Sequence, residues 1–145
     1  MAQTYGIGIT LWSPLAGGLL TGKYRRGEAS PADSRFTDRE SDWNKRHLVD
    51  AAFDVVDVVQ QIADEKGCLP VQLALAWGLQ HPAVASTVLG ARTVQQLVEQ
   101  LPAAQMSLTE SELKRLDAVA TPGRVIVPYY LDDSFADFRP HQYRW

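Results

Sequence analysis

The chain has 145 residues, of which 46% are hydrophobic and 21% charged, and its formal net charge is −3. This length suffices for one domain with a buried core, and a net acidic chain lacks the basic surface of a general nucleic-acid binder. The single cysteine, Cys68, excludes a disulfide within the chain, and no apolar run approaches the roughly 20 residues that span a bilayer. We therefore expect a cytoplasmic protein that binds neither nucleic acid nor membrane.

The chain opens with a predicted strand and a long glycine-rich segment. Ile7, Ile9, Leu11 and Trp12 form a short apolar, β-prone run that Pro14 ends. The segment from about Leu15 to Arg46 has the length and composition of a binding loop or lid. Its basic residues form a local cluster that suits a small anion better than a long polyanion: Lys23, Arg25, Arg26, Arg35, Arg39, Lys45 and Arg46.

Helices and a second strand are predicted next. Apolar residues at three- and four-residue spacing predict a helix from about His47 to Lys66, with Gly67 as its C-cap. Another helix begins near Pro70 and stops at His81–Pro82, and residues 84–89 predict the second strand.

Two capped helices and an aromatic tail complete the predicted elements. Thr93 is a suitable N-cap for a short helix that reaches Leu101, and a capping box at Thr109-Glu110-Ser111-Glu112 opens a helix to about Val119. The alternation of strands and helices favours an α/β fold with a parallel sheet covered on both faces. Two parallel strands leave both sheet edges unpaired, so we expect a chain that is incomplete or that assembles with another.

The glycine loop has two interpretations from its residues alone. Gly17 to Lys23 has the P-loop spacing Gly-x-x-x-x-Gly-Lys, but Tyr24 stands where a P-loop needs the hydroxyl of Ser or Thr to ligate Mg²⁺. Nucleoside-triphosphate binding is therefore a remote alternative. The simpler alternative is that the glycines only make turns and that Lys23 is solvated.

A second turn follows the second strand, at Gly90-Ala91-Arg92-Thr93. Arg92 can clamp a phosphate through two parallel hydrogen bonds, next to backbone N–H groups that attract anions. Gln96 and Gln100 follow at four-residue spacing, on the same helix face. An arginine for a phosphomonoester and amides for a purine edge would suit an adenosine 2′-phosphate. An ordinary exposed helix face is the alternative.

The motifs together resemble the aldo/keto reductase superfamily, in the branch of the bacterial aldo/keto reductases and the potassium-channel β subunits. They are Trp12-Ser13-Pro14-Leu15-Ala16-Gly17-Gly18 through Tyr24, Gln72-Leu73-Ala74-Leu75-Ala76-Trp77, and Gly90-Ala91-Arg92-Thr93 with Gln95-Gln96-Leu97. The resemblance implies the last two strand–helix units of a (β/α)8 TIM barrel. It predicts one partial domain over 1–145: cofactor-loop elements in 6–92, C-terminal helices in 93–120 and the aromatic tail in 121–145.

The resemblance also implies an extended NADP(H) molecule on these loops, and it gives the residues of the site. Trp12 would line the nicotinamide pocket, while Ser13, Pro14, Leu15 and Gly18 would form the loop against the cofactor. Lys23 and Arg35 would face the pyrophosphate, and Gly90 would allow close backbone approach. Arg92 would hold the 2′-phosphate and favour NADPH over NADH. Gln96 would meet the adenine with Glu99 and Gln100, where Gln100 replaces the family's asparagine.

The catalytic residues of the family lie outside the resemblance. Its Asp, Tyr, Lys and His tetrad comes from the earlier barrel strands, so no catalytic residue and no metal ligand is assigned here. The resemblance implies that the whole protein reduces carbonyl substrates with NADPH, and that this chain alone is inactive. A partner chain with the N-terminal half, or a homo-oligomer, would then complete it. The alternative is a non-catalytic NADP(H)-binding or assembly module.

Overall fold

The structure, a computed structural model, describes residues 1–37 and 42–127, with the backbone alone for residues 42 and 43. The predicted tail from residue 128 onward and Arg39 lie outside the described residues. The strands are β1 (Ile9–Leu11) and β2 (Val84–Thr87). The helices are α1 (Asp42–His47), α2 (Asp50–Lys66), α3 (Pro70–Leu79), α4 (Val94–Gln100) and α5 (Glu110–Val119), with 3₁₀ segments at Ala16–Thr21 and Leu101–Gln105.

The two strands pair in parallel, as predicted, with Thr10 opposite Ser86 and an irregularity before that pair. Helix α3 covers one face of the pair. A Cβ on Gly78 would lie 2.7 Å from Cδ1 of Leu11, so the glycine lets α3 pack directly on β1. On the strands, Thr10 and Ser86 are exposed and their hydroxyls lie 3.0 Å apart. The expectation of a sheet covered on both faces is therefore wrong for the described part of the chain.

The core lies between α2, α3 and α5. Ile62 of α2, Leu73 of α3 and Leu116 of α5 are fully buried there, as the apolar stripes of these helices require. Two ion pairs join α2 to α5 at the edge of this core, Lys66 with Glu112 and Glu65 with Arg115. These contacts hold α2 and α5 together.

Several predicted boundaries shift. The helix expected from about His47 begins at Asp50, because Val49 is extended (φ −94°, ψ 156°) and His47 instead ends α1. The segment expected to be a loop thus contains α1 and the 3₁₀ segment Ala16–Thr21. The expected caps are confirmed: Gly67 is left-handed at the end of α2, Thr93 caps α4, and Thr109 and Glu112 form the capping box of α5. None of the described helices combines the length and the apolar character needed to cross a membrane.

Candidate functional site

A pocket of about 680 Å³ lies at the carboxyl ends of both strands. Every residue that the sequence predicts as cofactor-binding lines it: Trp12, Ser13, Pro14, Leu15, Gly18, Lys23, Arg35, Gly90, Arg92, Gln96, Glu99 and Gln100. Loops after parallel strands meet at one edge of a sheet, and this is where α/β barrels bind their ligands. The pocket therefore brings together motifs that are far apart in sequence.

The first wall is the turn after β1. Ser13 (φ 55°), Ala16 (φ 49°) and the two glycines that follow have left-handed backbones, which reverse the chain over a short distance. Gly18 (φ 96°) leaves room for the lysine of the same motif. A Cβ on Gly18 would lie 2.9 Å from both Cε and Nζ of Lys23. The ammonium group of Lys23 is thereby seated against the turn, 5.1 Å from the centre of the Tyr24 ring.

The second wall is a segment that we call the strap, residues 25–37. Its first part is tied to α2 by Arg26, which is hydrogen-bonded to Asp50 and Asp54 and lies 3.4 Å from Asp57. The hydrogen bond to Asp54 is the main reason why the pKa of Arg26 is raised above its ordinary value. Arg26 is therefore neutralised outside the pocket. Among the described residues of the predicted basic cluster, Lys23 and Arg35 are the ones that line the pocket.

Arg92 closes the pocket against the strap. Its Nη2 donates to the backbone carbonyl of Asp33 at 3.0 Å, across 59 residues of sequence. Its backbone N–H donates to Oε1 of Gln96 at 2.8 Å, and the N–H of Gln96 donates to the Thr93 hydroxyl at 3.1 Å. These bonds fix the turn before α4. They also engage Oε1 of Gln96, whereas no hydrogen bond within the described residues uses its Nε2, which is thus a donor for a ligand.

The far wall is the end of α4, held by a residue that the sequence does not single out for the site. Gln72 accepts from the N–H of Leu69 at 3.0 Å and donates to the carbonyl of Glu99 at 2.8 Å. Gln100 follows Glu99 and is only 7% exposed. Its Oε1 is buried without a hydrogen-bond partner in the described part of the chain. An orphaned acceptor on a pocket wall suits a ligand that donates a hydrogen bond there.

The glycine loop lacks the features of a P-loop beyond its spacing. Tyr24, at the position of the magnesium-binding hydroxyl, is fully buried, and its oxygen accepts the N–H of Phe36 at 3.2 Å. The chain continues from it into the turns of the strap, not into a helix. Within residues 1–37 and 42–127, no group of three or more His, Cys, Asp or Glu side chains is arranged to hold a metal ion. The burial of Tyr24 and its bond to Phe36 are what disfavour a nucleoside triphosphate with Mg²⁺ on this loop.

The parallel pairing of the strands, the helices that follow each of them and the pocket at their carboxyl ends define adjacent strand–helix units of a parallel α/β fold. A sequence profile of the aldo/keto reductase family matches residues 1–121. The chain belongs to the aldo/keto reductase family.

Similar proteins agree with this assignment. The chain is 42% identical over 120 residues to a probable voltage-gated potassium channel subunit beta of Oryza sativa subsp. japonica, matching 81% of this chain and 36% of that protein. It is 39% identical over 127 residues to a putative subunit beta of Schizosaccharomyces pombe (82% and 36%). It is 31% identical over 118 residues to the uncharacterized oxidoreductase YrpG of Bacillus subtilis (81% and 33%). The chain thus spans about a third of the length of these curated relatives.

The solved structures give the fold. The chain is similar to the glycerol dehydrogenase AKR11B4 from Gluconobacter oxydans, with a TM-score of 0.60 and 24% identity, over 90% of this chain and 40% of that one. At this identity the similarity concerns the fold alone. The described residues therefore form a partial α/β fold that is consistent with a part of a barrel.

Proposed function

We propose that this chain is the NADP(H)-binding C-terminal part of an aldo/keto reductase-type oxidoreductase. One observation carries the proposal: Lys23, Arg35 and Arg92, from the turns after both strands and from the strap, line the same pocket. Among the described residues, none of these side chains is in an ion pair with an acid. Cations without acidic partners on a shared cavity favour a ligand with several phosphates.

Each cation has a separate role in this proposal. Arg92 holds the 2′-phosphate, since its planar fork matches a phosphomonoester, and it thereby favours NADPH over NADH. Lys23 and Arg35 face the pyrophosphate. The indole of Trp12, 60% exposed at the end of β1, offers an apolar wall for the nicotinamide.

The adenine end has a matching set of polar groups. Nε2 of Gln96 is a donor for a ring nitrogen, and the orphaned Oε1 of Gln100 is an acceptor for an exocyclic amine. This pairing of a donor and an acceptor fits a purine edge, and it supports the contact of Gln100 despite the replacement of the family's asparagine.

The chemistry of the whole protein would be carbonyl reduction. When bound, the nicotinamide supplies the hydride, and this chain's part is to bind and orient it at the strand ends. We assign no proton donor here: Tyr24 is fully buried, and its hydroxyl oxygen accepts the N–H of Phe36 in the strap. The chain alone is therefore expected to bind the cofactor and to be inactive as a reductase.

Exposed apolar residues and unpaired strand edges support the view that further strand–helix units pack against this chain. Val94, Val98 and Leu101 form an exposed apolar stripe along α4, and the outer edges of β1 and β2 are unpaired among the described strands. We propose that earlier strand–helix units of an aldo/keto reductase barrel cover these surfaces. The same surfaces also favour a second candidate, a non-catalytic NADP(H)-binding module that assembles with copies of itself.

A titration of the purified chain with NADPH, followed by nicotinamide fluorescence, tests the proposal. Saturable binding that 2′-AMP competes away supports it, and ATP with Mg²⁺ serves as the control for a nonspecific phosphate site. The titration is repeated after mixing with the N-terminal two thirds of the Schizosaccharomyces pombe relative, together with a carbonyl-reduction assay. Absence of binding in both settings would refute the cofactor role. Sedimentation of the chain alone, across concentrations, tests assembly with itself.

A further inference from the structure

Gly17 forms a socket that receives two side chains of the strap. A Cβ on Gly17 would lie 2.8 Å from Cζ of Phe36 and 3.2 Å from Cδ of Arg35. A real Cβ at the shorter distance would force the phenylalanine ring away. The missing side chain of Gly17 therefore lets an aromatic ring and the stem of an arginine pack on the turn after β1.

Phe36 is held in this socket from its other side. Phe36 is 1% exposed and Tyr24 is 0% exposed, and their ring centres lie 5.1 Å apart in a tilted arrangement. The oxygen of Tyr24 accepts the backbone N–H of Phe36 at 3.2 Å. The ring of His47 at the end of α1 stacks on Phe36, with centres 5.5 Å apart. Both the ring and the backbone of Phe36 are thus fixed.

Arg35 packs its stem beside Phe36 on Gly17 and reaches the pocket beyond it. Phe36 lies in the core, whereas Arg35 is exposed and lines the pocket. Arg35 and Phe36 are adjacent in one turn, so fixing the ring and the backbone of Phe36 fixes the point from which the side chain of Arg35 extends over Gly17. A long arginine side chain loses rotamer entropy when it binds an anion, and packing its stem on Gly17 beforehand lowers that loss.

We propose that Phe36, seated on Gly17 and held by Tyr24, is the positioning residue that aims Arg35 into the pocket. The proposal rests on the proposed function in one respect, that the ligand of Arg35 is the pyrophosphate of a nicotinamide dinucleotide. It adds that the first glycine of the motif serves as a socket for the strap. Phe36 itself does not touch the ligand; it acts through Arg35.

The first experiment needs no ligand. Amide hydrogen exchange is measured over residues 33–37 in the wild type and in F36A, G17A and G67A. Gly67 is the matched control, since its φ of +67° is close to the +70° of Gly17 while a Cβ there meets nothing within 4 Å. We expect protection of residues 33–37 to be lost in F36A and G17A and kept in G67A. Wild-type protection in F36A, or equal losses in G17A and G67A, would overturn the proposal.

The second experiment links the socket to the pocket. We expect F36A to weaken the binding of NADPH and NADH in parallel, by about tenfold, because both carry the pyrophosphate. In an R35A background the same substitution should change either affinity by less than about twofold, because the group it positions is gone. F36L, which keeps an apolar plug, should recover part of the affinity. A full tenfold loss in the R35A background would overturn the proposal.

The two experiments separate the possible failures. If the wild type binds neither dinucleotide, alone or mixed with the N-terminal part of the relative, the proposed function fails, and hydrogen exchange alone decides whether Phe36 and Gly17 position the strap. If the wild type binds both and F36A binds equally well, the proposed function stands and the positioning role is overturned.

Discussion

Arg92→Ala is the substitution that most directly tests the identity of the ligand. The guanidinium of Arg92 lies on the pocket and is exposed, with one hydrogen bond to the carbonyl of Asp33 at 3.0 Å. A 2′-phosphate would add two charge-assisted hydrogen bonds, each contributing about 1.5–3 kcal/mol when well shielded. Solvent screening at an exposed site lowers this value, and sharing the arginine with Asp33 offsets about 1 kcal/mol more.

The net loss expected for NADPH is about 1.5–2 kcal/mol, which corresponds to roughly a 10- to 30-fold weaker affinity. The loss for NADH should be less than about twofold, because NADH lacks the 2′-phosphate. The discriminating quantity is the ratio of the two dissociation constants. Its value should move toward one in the variant.

The assay is a pair of fluorescence titrations at low and at physiological salt. Raising the salt should weaken NADPH binding of the wild type more than that of the variant, since the variant has lost a cation. Arg115→Ala is the matched control: it also removes an arginine, but one paired with Glu65 away from the pocket. Equal losses for NADPH and NADH in Arg92→Ala would refute the assignment of the 2′-phosphate.

Three further predictions concern the pocket wall, the helix cap and the cysteine. Gln100→Leu should raise the free energy of unfolding by about 1 kcal/mol in urea denaturation, because it removes an orphaned buried acceptor, and should weaken NADPH binding; a variant with unchanged affinity would show that Gln100 does not contact the base. Glu112 has a pKa below its ordinary value of 4.5, because the Thr109 N–H and, to a smaller extent, Lys66 hydrogen-bond to its carboxylate. Its stabilising effect is thus complete above the ordinary pKa of 4.5 and is lost as the pH falls through the lower folded-state pKa. Glu112→Gln should therefore flatten the acid side of a thermal-melting profile below pH 4.5, and an unchanged slope would contradict this. Burial raises the pKa of the Cys68 thiol, so iodoacetamide at pH 8 should alkylate Cys68 more slowly than it alkylates the free thiol of glutathione. Urea should abolish this difference in rate, and fast alkylation of the folded chain would contradict the prediction.

The elements that could be predicted from the sequence are those set by local contacts. The N-cap at Thr93, the capping box at Thr109 and the left-handed cap at Gly67 depend on residues within five positions, so the sequence contains their whole cause. The position of the predicted site residues in one pocket could also be predicted, because it depends on the direction of the two strands. Each turn follows the carboxyl end of one of two parallel strands, and the carboxyl ends of neighbouring parallel strands lie at the same edge of the sheet.

The features that the sequence did not reveal depend on distant partners. Gln72 supports the end of α4 through the carbonyl of Glu99, 27 residues away, and Arg92 reaches Asp33 across 59 residues. Neither hydrogen bond is accompanied by a periodic pattern or a helix-capping motif in the sequence that would predict it. The break between α1 and α2 is similar: apolar spacing continues through Leu48 and Val49, and packing of these residues against the Tyr24–Phe36 cluster accompanies the extended backbone at Val49.

The glycine loop shows why spacing alone does not determine chemistry. In a P-loop the residue after the lysine faces the metal and opens a helix, so the backbone N–H groups of the loop converge on phosphates. Here Tyr24 occupies that position and is buried, which turns the chain into the strap and returns Phe36 to the loop. The two glycines instead leave space for side chains, Gly17 for Phe36 and Gly18 for Lys23. The glycine loop thus lines the pocket with Lys23, and the strap that packs on it adds Arg35, whereas a P-loop would have wrapped its backbone around a phosphate group.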